Sequence, residues 1–449
     1  MPASGVPGIT RSPARAGGPV DLAALVRRRK AGHSLEAPFY ASPEVFAADL
    51  DLIWRRHWLF VAVEAEIPEP GDYRALEVDR ASIVIVRDDE GEVRAFRNVC
   101  RHRGARLVSQ PSGTVGKLVC PYHSWTYELD GRLLWAEHMG AGFDRSCHGL
   151  KPVHVRSLEG LIFVCLAEGE PPADFGAMAA TMRPYLAPHG LRETKVAAQI
   201  DIVEEGNWKL TMENNRECYH CGANHPELSV SMFAEGFGFA PEELDDAGRE
   251  QAARYEQVCE SYAAEWDGMG LPHRLVEHMD DRPTGFRAQR LVLDKAGEAH
   301  TLDSAAACRK LMGSLTSARM GALHYWTQPN FWAHFMADHA ITFSVLPLAP
   351  DRTLLRTTWL VHKDAVEGVD YDVDHLTAVW RATNDQDGTL VGHTQRGAED
   401  PGYAPGPYSP HTEQLVEAHV VWYLRRLAAG LGIEAEADAG EVPTALAAE

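Results

Sequence analysis

Two short loops of matching chemistry constrain this chain more than any other feature: Cys100-Arg101-His102 and, after seventeen intervening residues, Cys120-Pro121-Tyr122-His123. Each offers one thiolate and one imidazole from a tight turn. Folded against each other, the loops present two sulfurs and two nitrogens to one centre, which suits either a tetrahedral zinc or a two-iron cluster with thiolates on one iron and imidazoles on the other. Gly104 and Pro121 supply the turn residues such loops need. The flanking sequence has β texture: residues 83–86, the turn Asp88-Asp89-Glu90-Gly91 and residues 93–96 predict a hairpin, and residues 158–166 a buried strand, before Pro171-Pro172 marks a boundary.

With 449 residues the chain has room for two or three domains. Residues 1–35, interrupted by Pro2, Pro7, Pro13 and Pro19, read as a mobile tail. Ser42 opens a predicted amphipathic helix through Trp58. Further on, residues 200–204 predict a strand and 208–220 a helix. Residues 339–348 and 353–362 predict a hairpin around Ala349-Pro350-Asp351-Arg352. Two helices, over 373–393 and 412–431 with Thr412 as a cap, close the pattern, and an Ala/Glu-rich end frays from Glu434. Residues 233–311 are Gly-rich and charged at first, then helical in places, without elements that can be placed.

Charge and hydropathy narrow the function classes. The chain carries 64 acidic against 43 basic residues, a net charge of −21, which disfavours a polyanionic partner such as nucleic acid. No apolar run reaches the roughly 18 residues of a membrane span, and the first twenty residues lack a secretory apolar core, so a cytoplasmic location is expected. In that compartment the 8 Cys are not expected to form disulfides, and clustered Cys and His read as metal ligands or core residues.

A second constellation lies in residues 206–228, where His220 and His225 stand five apart beside Glu213 and Glu217. A helix ending near Cys221-Gly222 would let both imidazoles converge. Two imidazoles and one carboxylate on one face form the triad of non-heme Fe(II) oxygenases, with positions left for oxygen and substrate. No G-x-G-x-x-G follows a strand, so the chain is not expected to take hydride from NAD(P)H itself.

The run NVCRHRGARL followed by CPYHSWTYELDGRL resembles the cluster loops of Rieske non-heme iron oxygenases, and GNWKLTMENNRECYHCGANHPEL resembles the catalytic motif of their α subunits. The resemblance implies an α+β fold: a tail and helix (1–56), a β-sandwich Rieske [2Fe–2S] domain (57–170), and a larger catalytic domain (171–449) built on an antiparallel sheet flanked by helices. It implies Cys100 and Cys120 on one iron of the cluster and His102 and His123 on the other. A mononuclear Fe(II) would be held by His220, His225 and Asp387, with Asp385 the nearest competitor for the third place. Glu217 would bridge the Rieske domain of one subunit to the catalytic iron of its neighbour. Also implied are O2 as co-substrate, a separate NAD(P)H-dependent reductase, and a closed ring of subunits, a homotrimer.

Within that family the runs AEHMGAGFDRSCHGLKPVHV, HYWTQPNFWAHF, LVHKDAVEGVDYDVDHLTAVWRATNDQD and PGYAPGPYSPHTE look most like the branch acting on quaternary ammonium compounds. The reaction implied is hydroxylation of an N-methyl group, glycine betaine to dimethylglycine and formaldehyde, with stachydrine, carnitine and choline as alternatives. Gly392-His393 is a departure from the resemblance, standing where relatives tend to carry acidic residues after the Asp ligand. A cationic head needs aromatic faces, and Tyr325, Trp326, Phe331, Trp332 and Phe335 are the candidates, with core packing as their other reading. Two rival readings remain: an aromatic-ring hydroxylase, and a zinc-stabilised binding protein without catalysis.

Overall fold

In the structure, a computed structural model that describes residues 20–434, the strand Leu59–Val63 pairs antiparallel with Leu161–Cys165, which pairs in turn with His154–Leu158. The single strand predicted over 158–166 is therefore half of a hairpin. Glu159 and Gly160 both take positive φ, 48° and 95°, and make a two-residue turn. A Cβ on Gly160 would stand 2.9 Å from Leu191 Cβ, so glycine lets this turn press against the following domain. The predicted hairpin forms as Ala81–Arg87 and Val93–Arg97, within a four-stranded sheet completed by Asp72–Val78 and Ser112–Thr114. A small sheet of Leu118–Val119, Thr126–Tyr127 and Leu133–Trp135 carries the second Cys/His loop.

The larger part of the chain folds around one antiparallel sheet of seven strands, in the order Thr194–Glu204, Arg352–His362, His339–Ala349, Phe331–Phe335, Ala322–Thr327, Phe286–Leu291, Val276–His278. Period-two alternation divides its side chains. Leu323, Tyr325, Phe331, Ala333 and Phe335 pack with Phe60 and Phe163 of the first domain and with Met178 of the helix Phe175–Leu186. Phe60 and Phe331 meet with ring centroids 4.1 Å apart. On the opposite face Trp326 and Trp332 join the core that includes Trp208, Trp380 and Trp422 of the helices Trp208–Asn214, Val373–Ala398 and Gln414–Leu431.

Several sequence expectations are corrected. The tail predicted over 1–35 contains the helix Leu22–Arg27, capped by Asp21 and buried through Leu25 and Val26; residues 1–19 and the end beyond 434 lie outside the described residues. The helix opened by Ser42 runs Pro43–Asp49 and continues as a π turn, Leu50–Trp54. Thr412 caps nothing, because the last helix starts at Gln414 and its cap position is Glu413, which makes no side-chain cap bond to the helix. The segment 233–311, read as helical only in places, contains the 23-residue helix Asp246–Gly268, which buries only Ala252, Tyr262 and Trp266 and so shows no apolar stripe. No helix among the described residues is long and apolar enough to cross a membrane.

Asp49 ties the N-terminal helix to the catalytic domain. Fully buried, it accepts hydrogen bonds from Trp208 Nε1 at 3.0 Å, Tyr423 Oη at 2.6 Å, and the equally buried Lys209 ammonium. Lys209 also lies over the rings of Trp208 and Tyr423, at 4.9 and 5.2 Å. Removing one partner of such a pair strands the other charge. Asp49→Ala is expected to cost about 3–5 kcal/mol, read as a lowered urea midpoint, and a loss below about 1 kcal/mol would refute the ion pair's role.

Candidate functional site

The two Cys/His loops have the same backbone construction. Cys100 N–H donates to Ala105 O at 2.8 Å and Gly104 N–H to Cys100 O at 3.1 Å; Cys120 N–H donates to Trp125 O at 2.8 Å and Ser124 N–H to Cys120 O at 3.0 Å. Gly104 has φ +81°, a conformation glycine adopts without strain. Both thiols are buried, whereas His102 and His123 are exposed with ring centroids 4.7 Å apart. Trp125 stacks under His102, with centroids 4.8 Å apart. Tyr127 Oη sits 3.3 Å from Cys100 Sγ and accepts the Arg101 N–H at 3.0 Å. The loops thus fit a cluster whose sulfur side is sheltered and whose imidazole side faces outward.

The second site departs from the predicted helix over 208–220. The helix stops at Asn214, the chain turns, and a single turn of helix runs Cys221–Asn224. Glu217 organises that turn: Oε2 accepts the N–H groups of Tyr219 and His220, and Oε1 accepts from His220 Nδ1. Cys218 and Cys221 are joined by a disulfide, Cα–Cα 4.9 Å, which corrects the expectation that both are unpaired core residues. Their three-residue spacing within the turn brings the sulfurs together.

Asp387, from the helix Val373–Ala398, meets both imidazoles. Its Oδ1 lies 3.3 Å from His220 Nε2 and 3.1 Å from His225 Nε2. His225 Nε2 is buried, and beyond the Asp387 ion pair it makes no well-aligned hydrogen bond among the described residues, which suits a ligand atom turned toward a metal. The outer nitrogens are already engaged. His225 Nδ1 donates to Gln386 Oε1 at 2.8 Å, and Gln386 Nε2 donates to Glu227 Oε2 at 2.9 Å. With Nδ1–H so held on each ring, both Nε2 lone pairs point to one place. Burial pulls His220 down, but Asp387 and Glu217 outweigh it and lift its pKa to about 9. Burial raises Asp387, but the two imidazoles overcome it and hold the carboxyl below its ordinary value. The two imidazoles and the carboxylate form a donor set that fits a divalent cation.

Asp385 is exposed on the same helix and is not on the cavity wall. Glu213 also lies away from it: half-buried, it accepts from Tyr40 Oη at 3.0 Å and Tyr408 Oη at 3.4 Å, and desolvation pushes it up to about 7. Gly392 is buried, and a Cβ there would stand 3.7 Å from Glu205 O, while His393 is exposed.

A cavity opens beside the His220, His225 and Asp387 group. Its walls include Asn214, Met232, Phe237, Trp326, Trp380 and the imidazoles of His300, His324 and His334. Of the five aromatic candidates, Trp326 lines the cavity. Tyr325, Phe331 and Phe335 lie on the sheet's other face, and Trp332 stacks on Phe343 at 4.9 Å. The three imidazoles were absent from the sequence reading, although HYW and WAHF alternate so that histidine and tryptophan share a face.

The comparisons with known proteins agree with this architecture. A model of the Rieske [2Fe–2S] domain matches residues 57–157, and one of the ring hydroxylating alpha subunit (catalytic domain) matches 191–429. The glycine betaine monooxygenase oxygenase subunit of Chromohalobacter salexigens is 45% identical over 92% of this chain and 89% of its own. That of Pseudomonas aeruginosa is 41% identical over 91% of this chain and 92% of its own. Among solved structures, a quaternary ammonium Rieske monooxygenase in complex with L-carnitine superposes with a TM-score of 0.64 at 21% identity, covering 89% of this chain and 97% of that one. Both halves of the fold, in this order and over nearly the whole length, place the chain in the Rieske non-heme iron oxygenases, as an oxygenase subunit with a [2Fe–2S] cluster and a mononuclear iron.

Proposed function

We propose that this oxygenase hydroxylates an N-methyl group of glycine betaine, releasing dimethylglycine and formaldehyde. The observation that carries the reading is the 45% identity to a glycine betaine monooxygenase oxygenase subunit over 92% of the chain. In this reading Cys100, Cys120, His102 and His123 hold the cluster, and His220, His225 and Asp387 hold the iron. Bound there, the two groups supply single electrons and O2 activation. The chain's own residues do the rest. Glu227 and Gln386 orient His225, Glu217 orients His220, and the aromatic walls keep water from the methyl group while offering faces to the ammonium. The hydroxymethyl ammonium product then breaks its C–N bond, the hydroxyl proton is lost, and the electron pair stays on nitrogen.

The exposed imidazole edge of the cluster fits a partner surface. We assign that surface to a neighbouring subunit in a head-to-tail ring, a trimer, with Glu217 of the neighbour accepting from His123. A separate NAD(P)H-dependent reductase supplies the electrons. Anaerobic reconstitution with iron, a reductase and NADH, followed by oxygen and a formaldehyde assay, is expected to show release from glycine betaine at a higher kcat/KM than from stachydrine, carnitine or choline. Preference for any of the other three would overturn the substrate assignment.

A further inference from the structure

We propose that His300, His324 and His334 form a subsite that receives the carboxylate of a zwitterionic quaternary ammonium substrate, their N–H groups donating to its oxygens. This rests on the proposed betaine substrate, whose anionic end needs donors. His324 and His334 face each other across paired strands, with ring centroids 4.2 Å apart, and His300 completes the group at 5.7 and 5.6 Å. All three line the cavity yet are 1%, 2% and 3% exposed. One nitrogen of each lies within 4.8 Å of the others.

These rings are poorly satisfied by the protein. Ser231 Oγ engages His300 Nδ1 at 3.0 Å, but His300 Nε2 and both nitrogens of His324 and His334 have no hydrogen-bond partner among the described residues. Buried orphans of this kind are uncommon and call for a ligand. Burial, reinforced by the neighbouring imidazoles, keeps the rings neutral and pushes His300 down to about 3. A neutral imidazole still carries one N–H, and a carboxylate is purely an acceptor.

Among the described residues the cavity wall has no Lys or Arg, so the imidazoles are its main donors remote from the iron ligands. Arg287 stacks on Trp326 at 5.1 Å, which lends the region positive charge without entering the cavity. A third metal is the competing occupant of three imidazoles. Metal-bound imidazoles have their outer nitrogen held by an acceptor, as His220 and His225 do. Neither His324 nor His334 has such an acceptor, which favours the anion.

Formaldehyde release by the unaltered holoenzyme is measured first; its absence with glycine betaine would refute the substrate reading. Calorimetry on the anaerobic holoenzyme then compares glycine betaine with tetramethylammonium, which lacks the carboxylate. His324→Leu and His334→Leu are each expected to weaken glycine betaine binding about 10- to 100-fold, with tetramethylammonium binding unchanged. His324→Gln, which keeps an N–H donor, is expected to stay within a few-fold of the unaltered protein. Equal losses for both ligands, no loss for glycine betaine, or a metal ion held by the unaltered protein and absent from the variants would each overturn the carboxylate subsite.

Discussion

Asp387→Ala is expected to lower formaldehyde release by more than about 100-fold, leave the visible absorbance of the cluster intact, and remove the mononuclear iron. The reasoning is geometric. His220 Nε2 and His225 Nε2 meet at Asp387 Oδ1, 3.3 and 3.1 Å away, so removing that carboxylate leaves two neutral donors without the anion that balances a divalent ion. Asp385, two positions earlier and exposed, offers no replacement, and Asp385→Ala should behave as the unaltered enzyme does. Iron analysis together with single-turnover product settles the matter: an Asp387→Ala protein that keeps its mononuclear iron and turns over normally would remove Asp387 from the site.

The second large effect is expected at Glu217. Its carboxylate accepts from His220 Nδ1 and caps the turn through the Tyr219 and His220 N–H groups. Glu217→Gln keeps the shape and an acceptor oxygen but loses the negative charge that would join two imidazoles across a subunit boundary. Turnover should fall about 10- to 100-fold with cluster and iron content unchanged. Rapid-mixing absorbance would then show cluster oxidation slowed by the same factor. A variant that loses iron instead would reduce Glu217 to a positioning residue for His220, and normal kinetics would exclude both roles.

Much of this site is legible in the sequence, because it is written in local spacing. The Cys-x-His and Cys-x-x-His loops need only a turn each, and His220 and His225 stand one turn of chain apart. Asp387 was different: it is 162 residues beyond His225 in the sequence, and only resemblance singled it out from other carboxylates on its helix. The hairpin at 339–362 was readable from alternation and a Pro-Asp turn. The helix Asp246–Gly268 was not, since it buries three residues and carries no apolar stripe. The cavity-facing place of His324 and His334 is not written in residue type, because aromatic residues occupy both faces of those strands and the face each residue takes depends on parity. Tyr325 and Phe331 belong to the domain contact for that reason, and the Cys218–Cys221 bond depends on a turn that the longer predicted helix would not have contained.

The strands Ala322–Thr327 and Phe331–Phe335 form a party wall between two rooms. Odd positions 323, 325, 331, 333 and 335 face the first domain, and even positions 324, 326 and 334 face the cavity. Substrate preference can therefore be changed by substitutions at even positions while the joint between the electron-carrying and oxygen-using domains stays as it is. In the register of these two strands, what the enzyme accepts and how its domains dock are separately adjustable.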